Sequence, residues 1–374
     1  MYGAPRSLLF LMQYLNSAHQ CTLITIGGGG LVDEAESLGI PVTVLESPQA
    51  YSSNGIRAAA GWLLRQVRKS VTAFRVAQMA RKTRAELVYV NTTFRLSLIL
   101  GAALSFKPVI VHVREVGNYL APPRPWRRWL LRKTLDSTSL LICVSGAAQQ
   151  AAQHTGTGTR SLIVHNGIDA ARFQPDPEAV RRIRVQLDVH DDQLLIGMVG
   201  KRSTRKGFDT FVQAARSLAE DSRFVFATLG DDDPAFLEAH PDCTPDQLPA
   251  NVRILNYQRD PEEFFMAMDI FVMASRQEPF ARVNLEAAAA GCAIIATSVD
   301  GNLEIFRDGE NALLFKPADA SDLANAIACL GDDTGLRHRL SSQAREDVEQ
   351  FTLERCHQAI EHEMLKLASR EQTD

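Results

Sequence analysis

The chain has 374 residues, 45% of them hydrophobic and 22% charged, with a formal net charge of −4. That length suits two α/β domains better than one, and the apolar fraction excludes a disordered chain. The charge is uneven, +11 over residues 1–165 and −15 over the remainder, which suits two domains with different partners.

The chain opens as turn and helix. Pro5 fits a first helical turn, and Leu8, Leu9, Leu11, Met12 and Leu15 give an apolar face. A doubly wound domain starts with a strand, so a strand is expected upstream of Met1. Short apolar runs then predict strands at Thr22–Ile26, Val42–Leu45, Leu87–Val90, Val109–Val113, Leu140–Val144 and Leu162–Val164. The rhythm resumes at Leu194–Val199, Phe224–Leu229, Val252–Leu255, Ile270–Met273 and Ala293–Ala296. Runs without polar alternation suit parallel strands buried on both faces, and the helical stretches between them imply βαβ units. The fold class is therefore α/β, with two doubly wound Rossmann-like domains. The Gly- and Pro-bearing stretch Asn166–Pro177 marks the boundary. Residues 1–167 are assigned to the first domain, 168–352 to the second, and 353–374 to a helix packing back towards the first. Ligands of open parallel sheets bind outside the carboxyl ends of the strands, which points to a cleft between the domains.

Six single cysteines (Cys21, Cys143, Cys243, Cys292, Cys329, Cys356) form no C-x-x-C pair and read as small core residues in a reducing compartment. The longest apolar run, Leu96 to Phe106, is too short to cross a bilayer and holds two serines. A cytoplasmic protein is expected. Two basic amphipathic stretches occur in the first half. In Arg57–Arg84, Arg65, Arg68, Arg75 and Lys82 lie beside Leu64, Val67, Val71 and Phe74. In Arg124–Lys133, Trp126 and Trp129 sit among five cations. Both suit peripheral contact with an anionic membrane as well as ordinary solvated helix faces. The basic character comes with no nucleic-acid reader motif, so nucleic acid is not expected as a partner.

Two segments carry the chemistry. After the predicted strand Leu194–Val199 comes Gly200-Lys201-Arg202-Ser203-Thr204-Arg205-Lys206-Gly207, four cations within six positions where an α/β domain holds phosphate. Cations there stabilise a departing diphosphate. After Ile270–Met273 comes Glu278-Pro279-Phe280-Ala281-Arg282-Val283-Asn284-Leu285-Glu286. Glu278 lies in a turn and Glu286 at the start of an Ala-rich helix. A carboxylate there accepts hydrogen bonds from vicinal ribose hydroxyls, and the helix N-terminus favours phosphate. Helix-start glutamates are also favoured on dipole grounds alone.

Taken in order, further motifs make the chain resemble glycosyltransferase family 4, retaining enzymes of GT-B architecture. They are Gly3-Ala4-Pro5-Arg6-Ser7, Cys143-Val144-Ser145, Val164-His165-Asn166-Gly167-Ile168-Asp169, Lys206-Gly207-Phe208-Asp209, Leu229-Gly230-Asp231, Ala274-Ser275, Gly301-Asn302-Leu303-Glu304 and Asp308-Gly309-Glu310-Asn311. The resemblance implies transfer of a hexose-type sugar from a UDP- or GDP-sugar to a glycan or lipid-linked acceptor, in bacterial surface-polysaccharide assembly. It implies no cofactor and no metal, Asp231-Asp232-Asp233 occupying a family turn. Glu286 would bind the donor ribose, and Glu278 would lie near the sugar and phosphates. Lys206, Arg205 and Lys201 or Arg202 would grip the diphosphate, with Arg282 also on the donor side. Backbone at Gly301 and Asn302 would cradle donor sugar or phosphate, and Gly3 would approach the diphosphate from the first domain. Three departures stand out. Lys201 replaces the family's arginine, with Arg202 following. Ala281 replaces a glycine. The family's N-domain histidine maps ambiguously onto Val111-His112-Val113-Arg114, where His112 and Arg114 share a strand face; His112 is favoured. The alternatives are a nucleotide-sugar 2-epimerase of the same fold and a non-catalytic scaffold.

Overall fold

Each apolar run does become a parallel strand, and helices fill most of the connections between them. The computed structural model describes residues 3–45, 56–117, 120, 122 and 124–371. The side chains of 56–66, 370 and 371 lie outside that description, among them those of Arg57, Leu64 and Arg65 from the first basic stretch. Residues up to His165, with those from Cys356 onward, form one unit, and Asn166–Arg355 form the other.

The first unit starts with helix α1 (Gly3–Leu15), followed by β1 (Leu23–Thr25), α2 (Gly30–Ser37) and β2 (Val42–Val44). Then come α3 (Ile56–Lys82), β3 (Val88–Val90), α4 (Leu96–Ala103), β4 (Val109–Val113), α5 (Pro125–Asp136), β5 (Leu140–Cys143), α6 (Gly146–Gln153) and β6 (Ser161–Ile163). The strands form two parallel sheets, β1-β2 and β3-β4-β5-β6. The expected strand upstream of Met1 lies outside the described residues. Leu11, Leu15, Ile110, Leu140, Ile142 and Val164 make a buried core that Ile360 of the C-terminal helix completes. The Tyr14 hydroxyl donates to Glu361 (2.7 Å), and Arg160 grips Glu363 through both terminal nitrogens (2.8 and 3.2 Å).

The second unit runs α7 (Pro177–Gln186), β7 (Leu194–Val199), α8 (Phe208–Ser217), β8 (Phe224–Leu229), α9 (Pro234–Ala239), β9 (Val252–Leu255), α10 (Glu262–Ala267), β10 (Ile270–Met273), α11 (Arg282–Ala289), β11 (Ala293–Thr297), β12 (Leu313–Phe315), α12 (Ala320–Asp332), α13 (Thr334–Val348) and α14 (Leu353–Glu371), the last crossing into the first unit. All six strands are parallel in the order β12-β11-β10-β7-β8-β9. The connections therefore reverse direction between β7 and β10, which makes the crevice at their carboxyl ends the switch point of the sheet. The edge strand β12 was not expected from the sequence.

Three of the cysteines, Cys143, Cys243 and Cys292, are buried, whereas Cys329 is exposed on α12. Burial pushes the Cys143 thiol up to about 12, so it stays an inert thiol. No helix among the described residues is long and apolar enough to cross a membrane.

The structural division precedes the sequence boundary of 167/168 for a local reason. The Ile168 N–H donates to the Phe351 carbonyl (2.9 Å) and its carbonyl accepts from the Leu353 N–H (3.0 Å), which ties Asn166–Ile168 into the second unit. Gly167 is part of that join, since a Cβ there would lie 2.2 Å from the Thr352 carbonyl oxygen. Gly167→Ala is expected to destabilise the second unit by about 2 kcal/mol, because backbone rather than a flexible side chain must move. Urea unfolding followed by circular dichroism would show it as a lowered midpoint.

Candidate functional site

The switch point brings the two chemistry-bearing loops together. The loop after β7 ends in a 3-10 turn, Thr204–Lys206, and Gly207 then takes a left-handed conformation (φ 70°) to start α8. A side chain at Gly207 would be strained there and would meet the Ala274 carbonyl at 2.0 Å, so the β7 loop can lie directly on the end of β10. Arg276 fastens the two, its N–H donating to the Arg205 carbonyl (2.8 Å) and its guanidinium forking onto Asp209 (2.6 and 2.9 Å).

This arrangement sets Lys206 Nζ 2.6 Å from Glu278 Oε2, with Arg205 at 3.6 Å and the Ser275 hydroxyl donating at 3.2 Å. Glu278 is only 6% exposed. Burial works against its charge, but the two cations and the hydrogen bonds from Lys206 and Ser275 prevail and hold its carboxyl below the usual range. Its backbone is held as firmly. The Glu278 N–H donates to Asp300 Oδ2 (3.1 Å), and its carbonyl accepts from the Gly301 N–H (3.0 Å). Asp300 occupies a left-handed conformation (φ 41°), and its carboxyl is raised by burial and by the neighbouring Glu278 charge. A Cβ at Gly301 would sit 1.9 Å from the Pro279 carbonyl, so only glycine allows this approach.

One helical turn on, Arg282 donates to Glu286 Oε1 (2.9 Å) at i,i+4 on α11, both side chains nearly buried. Between them Asn284 is fully buried and donates to Asn302 Oδ1 (2.8 Å), and Asn302 donates to the Thr297 carbonyl (3.0 Å). The Asn166 amide donates to the Phe280 carbonyl (2.9 Å) and fixes the turn into α11.

The structure places three of the expected groups in engaged surroundings. Arg202 is 1% exposed, with its guanidinium on Asp232 (2.5 Å) and the Leu255 carbonyl (3.3 Å), so it braces the ends of β8 and β9. Lys201 is the exposed cation, 3.4 Å from Asp233. The N–H groups of Gly301 and Asn302 serve the Glu278 and Val299 carbonyls (both 3.0 Å) and so hold the Glu278 loop. In the first unit His112 is fully buried on β4. Its Nδ1 is bonded to the Tyr89 hydroxyl and lies 3.2 Å from Arg114 Nη2. A guanidinium only donates, so Nδ1 is an acceptor and the ring is neutral with its proton on Nε2. Burial, with the Arg114 charge, pushes the imidazole well below its ordinary value. Arg114 is the more accessible of the two, anchored through Nε to Asn91 Oδ1 (2.9 Å). Asn91 in turn donates to the Ala4 carbonyl (2.9 Å), next to Gly3 at the exposed start of α1.

Two family models match in succession, Glycosyltransferase Family 4 over residues 1–172 and Glycosyl transferases group 1 over residues 180–347. The chain belongs to glycosyltransferase family 4. It is similar to the lipopolysaccharide core biosynthesis glycosyltransferase LpsE of Rhizobium meliloti (strain 1021), 34% identical over 219 residues, 58% of this chain and 62% of that relative. It is also similar to a D-inositol 3-phosphate glycosyltransferase of Geodermatophilus obscurus, 32% identical over 235 residues, 59% of this chain and 50% of the relative. These matches span less than two thirds of either relative's length. Among solved structures, Anabaena Alr3699/HepE in complex with UDP superimposes with a TM-score of 0.81 at 23% identity, covering 98% of this chain and 96% of that one. The two Rossmann-like domains are thus those of the GT-B fold.

Within this family 4 chain the sequence pointed to Lys206, Glu278, Arg282 and Glu286. It did not single out Ser275 or Asp300, which set the charge and the backbone of Glu278. Ser275 stood in a quoted motif and Asp300 directly precedes Gly301, but neither residue type in its position announces a hydrogen-bond partner.

Lys206→Met would leave a buried carboxylate without its closest partner and is expected to cost about 3 kcal/mol. Combining it with Glu278→Gln should restore part of that loss, with a coupling of at least ~1 kcal/mol in a double-mutant cycle of urea unfolding; strict additivity would contradict the pairing. His112 supplies a pH test. Its folded-state value lies below the ordinary 6.5, so the unfolded chain takes the proton first. Its contribution to stability is complete above about pH 6.5 and declines as pH falls, by up to ~1.4 kcal/mol per unit. His112→Asn should flatten the stability–pH curve between pH 6.5 and 5 by about one proton's slope.

Proposed function

We propose that this chain transfers a hexose-type sugar from a UDP- or GDP-sugar to a glycan or lipid-linked acceptor, with retention at the anomeric carbon, in the assembly of a cell-surface polysaccharide. The observation that carries this reading is the Lys206–Glu278 pair at the switch point, with Glu286 one turn into α11. Glu286 accepts hydrogen bonds from the donor ribose. Lys206 and Arg205 face the diphosphate, and Lys201, which like Arg205 is exposed, assists. Glu278 keeps Lys206 in place and offers its carboxylate to the sugar hydroxyls.

In the reaction the bond between the anomeric carbon and the β-phosphate oxygen breaks while the acceptor oxygen bonds to the same face of that carbon. The acceptor proton passes to a diphosphate oxygen. The developing charge on the diphosphate is met by cations already held in position, which is where such sites lower the barrier. The reading assigns that neutralisation to side chains, with no metal and no cofactor. In the first unit Arg114 takes the sugar-facing role first given to His112, with His112 and Tyr89 behind it. An acceptor on a lipid would be met at the cytoplasmic face of a membrane, which the basic helices of the first unit suit. The named relatives support the surface-polysaccharide context and the nucleotide-sugar donor: LpsE is named for lipopolysaccharide core biosynthesis, and the HepE structure holds UDP. None of them is named as an epimerase.

A donor screen tests the proposal. The protein is incubated with UDP-, GDP- and ADP-sugars, with and without a bacterial lipid extract, and released nucleoside diphosphate is followed. Release from a UDP- or GDP-sugar that depends on the extract is expected, and Glu286→Ala should lower kcat/KM by at least ~100-fold, about 2.7 kcal/mol. Release that is unchanged by Glu286→Ala would overturn the assignment of the site.

A further inference from the structure

Beyond the ends of its strands the first unit is tied together by one carboxylate that neither its sheet nor the donor site accounts for. Pairing in the four-stranded sheet ends at Val90 and Val111 between β3 and β4, and at Val113 and Cys143 between β4 and β5. Asn91 and Arg114 therefore lie just past the paired residues, at the carboxyl edge. Glu115 joins the two loops there. Its Oε2 accepts from the Arg114 N–H (3.0 Å), the Thr93 N–H (3.2 Å) and the Thr93 hydroxyl (2.7 Å), and its Oε1 accepts from the Thr92 hydroxyl. The Thr92 oxygen in turn accepts from the Phe94 N–H (3.0 Å). The loop after β3 is thus folded around this carboxylate, with Thr93 buried.

The four donors are two hydroxyls and two peptide N–H groups, and they come from both loops. An ionised carboxylate only accepts, and bonds to it are stronger than those between neutral groups; a glutamine of the same shape accepts at one end and donates at the other. What these bonds hold is Arg114. Its backbone is fixed by Glu115, and its Nε donates to Asn91 Oδ1 (2.9 Å), on the residue just before Thr92. Asn91 also donates to the Ala4 carbonyl (2.9 Å), which ties the start of α1 to the same loop. The aim of the guanidinium therefore depends on how the loops after β3 and β4 lie against each other, and Glu115 sets that. A guanidinium is a rigid fork, so its hydrogen bonds are lost when it turns.

We propose that Glu115 is a positioning residue, which aims Arg114 by tying the loops after β3 and β4 together. This rests on the reading in which Arg114 faces the sugar, and it names what keeps Arg114 there. The other role open to a carboxylate at this edge is that of a base for the acceptor hydroxyl. The two differ in one respect. Loss of a base adds to the loss of Arg114, whereas loss of a residue that acts through Arg114 does not.

The experiment has two readouts on the full chain. The first is hydrogen exchange of the Arg114 Nε–H, followed by heteronuclear NMR with labelled arginine and assigned by its loss in Arg114→Lys. Exchange slower than in free arginine is expected, and Glu115→Gln should speed it by about tenfold or more, since it frees the loop from its anchor. Thr93→Val should speed it less, and Thr93→Ser, which keeps the hydroxyl, should leave it unchanged. This readout needs neither donor nor acceptor, so it stands or falls apart from the sugar-transfer reading. An Nε–H that exchanges as in free arginine, or that Glu115→Gln does not affect, would overturn the proposal. The second readout is nucleoside diphosphate release in the donor screen. Glu115→Gln is expected to lower kcat/KM by about tenfold or more, as a misplaced group does. Glu115→Gln combined with Arg114→Gln should lower it no further than Arg114→Gln alone. Losses that multiply would overturn the proposal, in favour of a base or of a general loosening of the unit.

Discussion

A carboxylate that is 6% exposed at the end of a buried strand stays ionised only if cations and hydrogen bonds outweigh its lost hydration. For Glu278 they do, and the elements around it are arranged so that they can. Lys206 comes from the loop after β7, Ser275 from the end of β10, and Asp300 and Gly301 from the turn after β11. Three crossover connections thus end on one carboxylate. Shifting any of them leaves either an unpaired charge or an unbonded peptide group in a confined space.

The strand order makes this meeting possible. In a sheet ordered β12-β11-β10-β7-β8-β9, the loops after β7 and β10 are the pair that diverge to opposite faces and leave room at the carboxyl edge. Gly207 lets the first loop touch the backbone of the second, and Gly301 lets the third loop reach under Pro279. The fork from Arg276 to Asp209 then locks the cation-bearing loop to the glutamate-bearing one. A basic loop and an acidic one are thus brought together by where the crossovers put them.

Much of this was legible in the sequence. The Leu194–Val199, Phe224–Leu229, Val252–Leu255 and Ile270–Met273 runs are the observed strands to the residue; the central ones are buried and so read as apolar runs, while the edge strand Val252–Leu255 is only half-buried and holds Arg253. The cations after β7 and the glutamates around α11 were visible for the same reason: they interrupt those runs at strand ends. What could not be read is which way side chains of similar chemistry turn. Arg202 and Lys201 are neighbours in a basic loop, yet one is buried on Asp232 and the other is exposed. His112 and Arg114 share a face of β4, but the histidine lies inside and the arginine at the strand's end. The use of the Gly301 and Asn302 N–H groups within the protein likewise depends on contacts distant in sequence.

The central claim is that the Lys206–Glu278 pair and Glu286 together form a nucleotide-diphosphate site. A crystal structure of the protein soaked with UDP tests it most directly. The account predicts ribose hydroxyls within hydrogen-bond distance of the Glu286 carboxylate, and a diphosphate oxygen within about 3 Å of Lys206 Nζ, with Lys206 still in contact with Glu278. Nucleotide bound elsewhere, or bound here with Lys206 and Glu286 both out of reach, would contradict it.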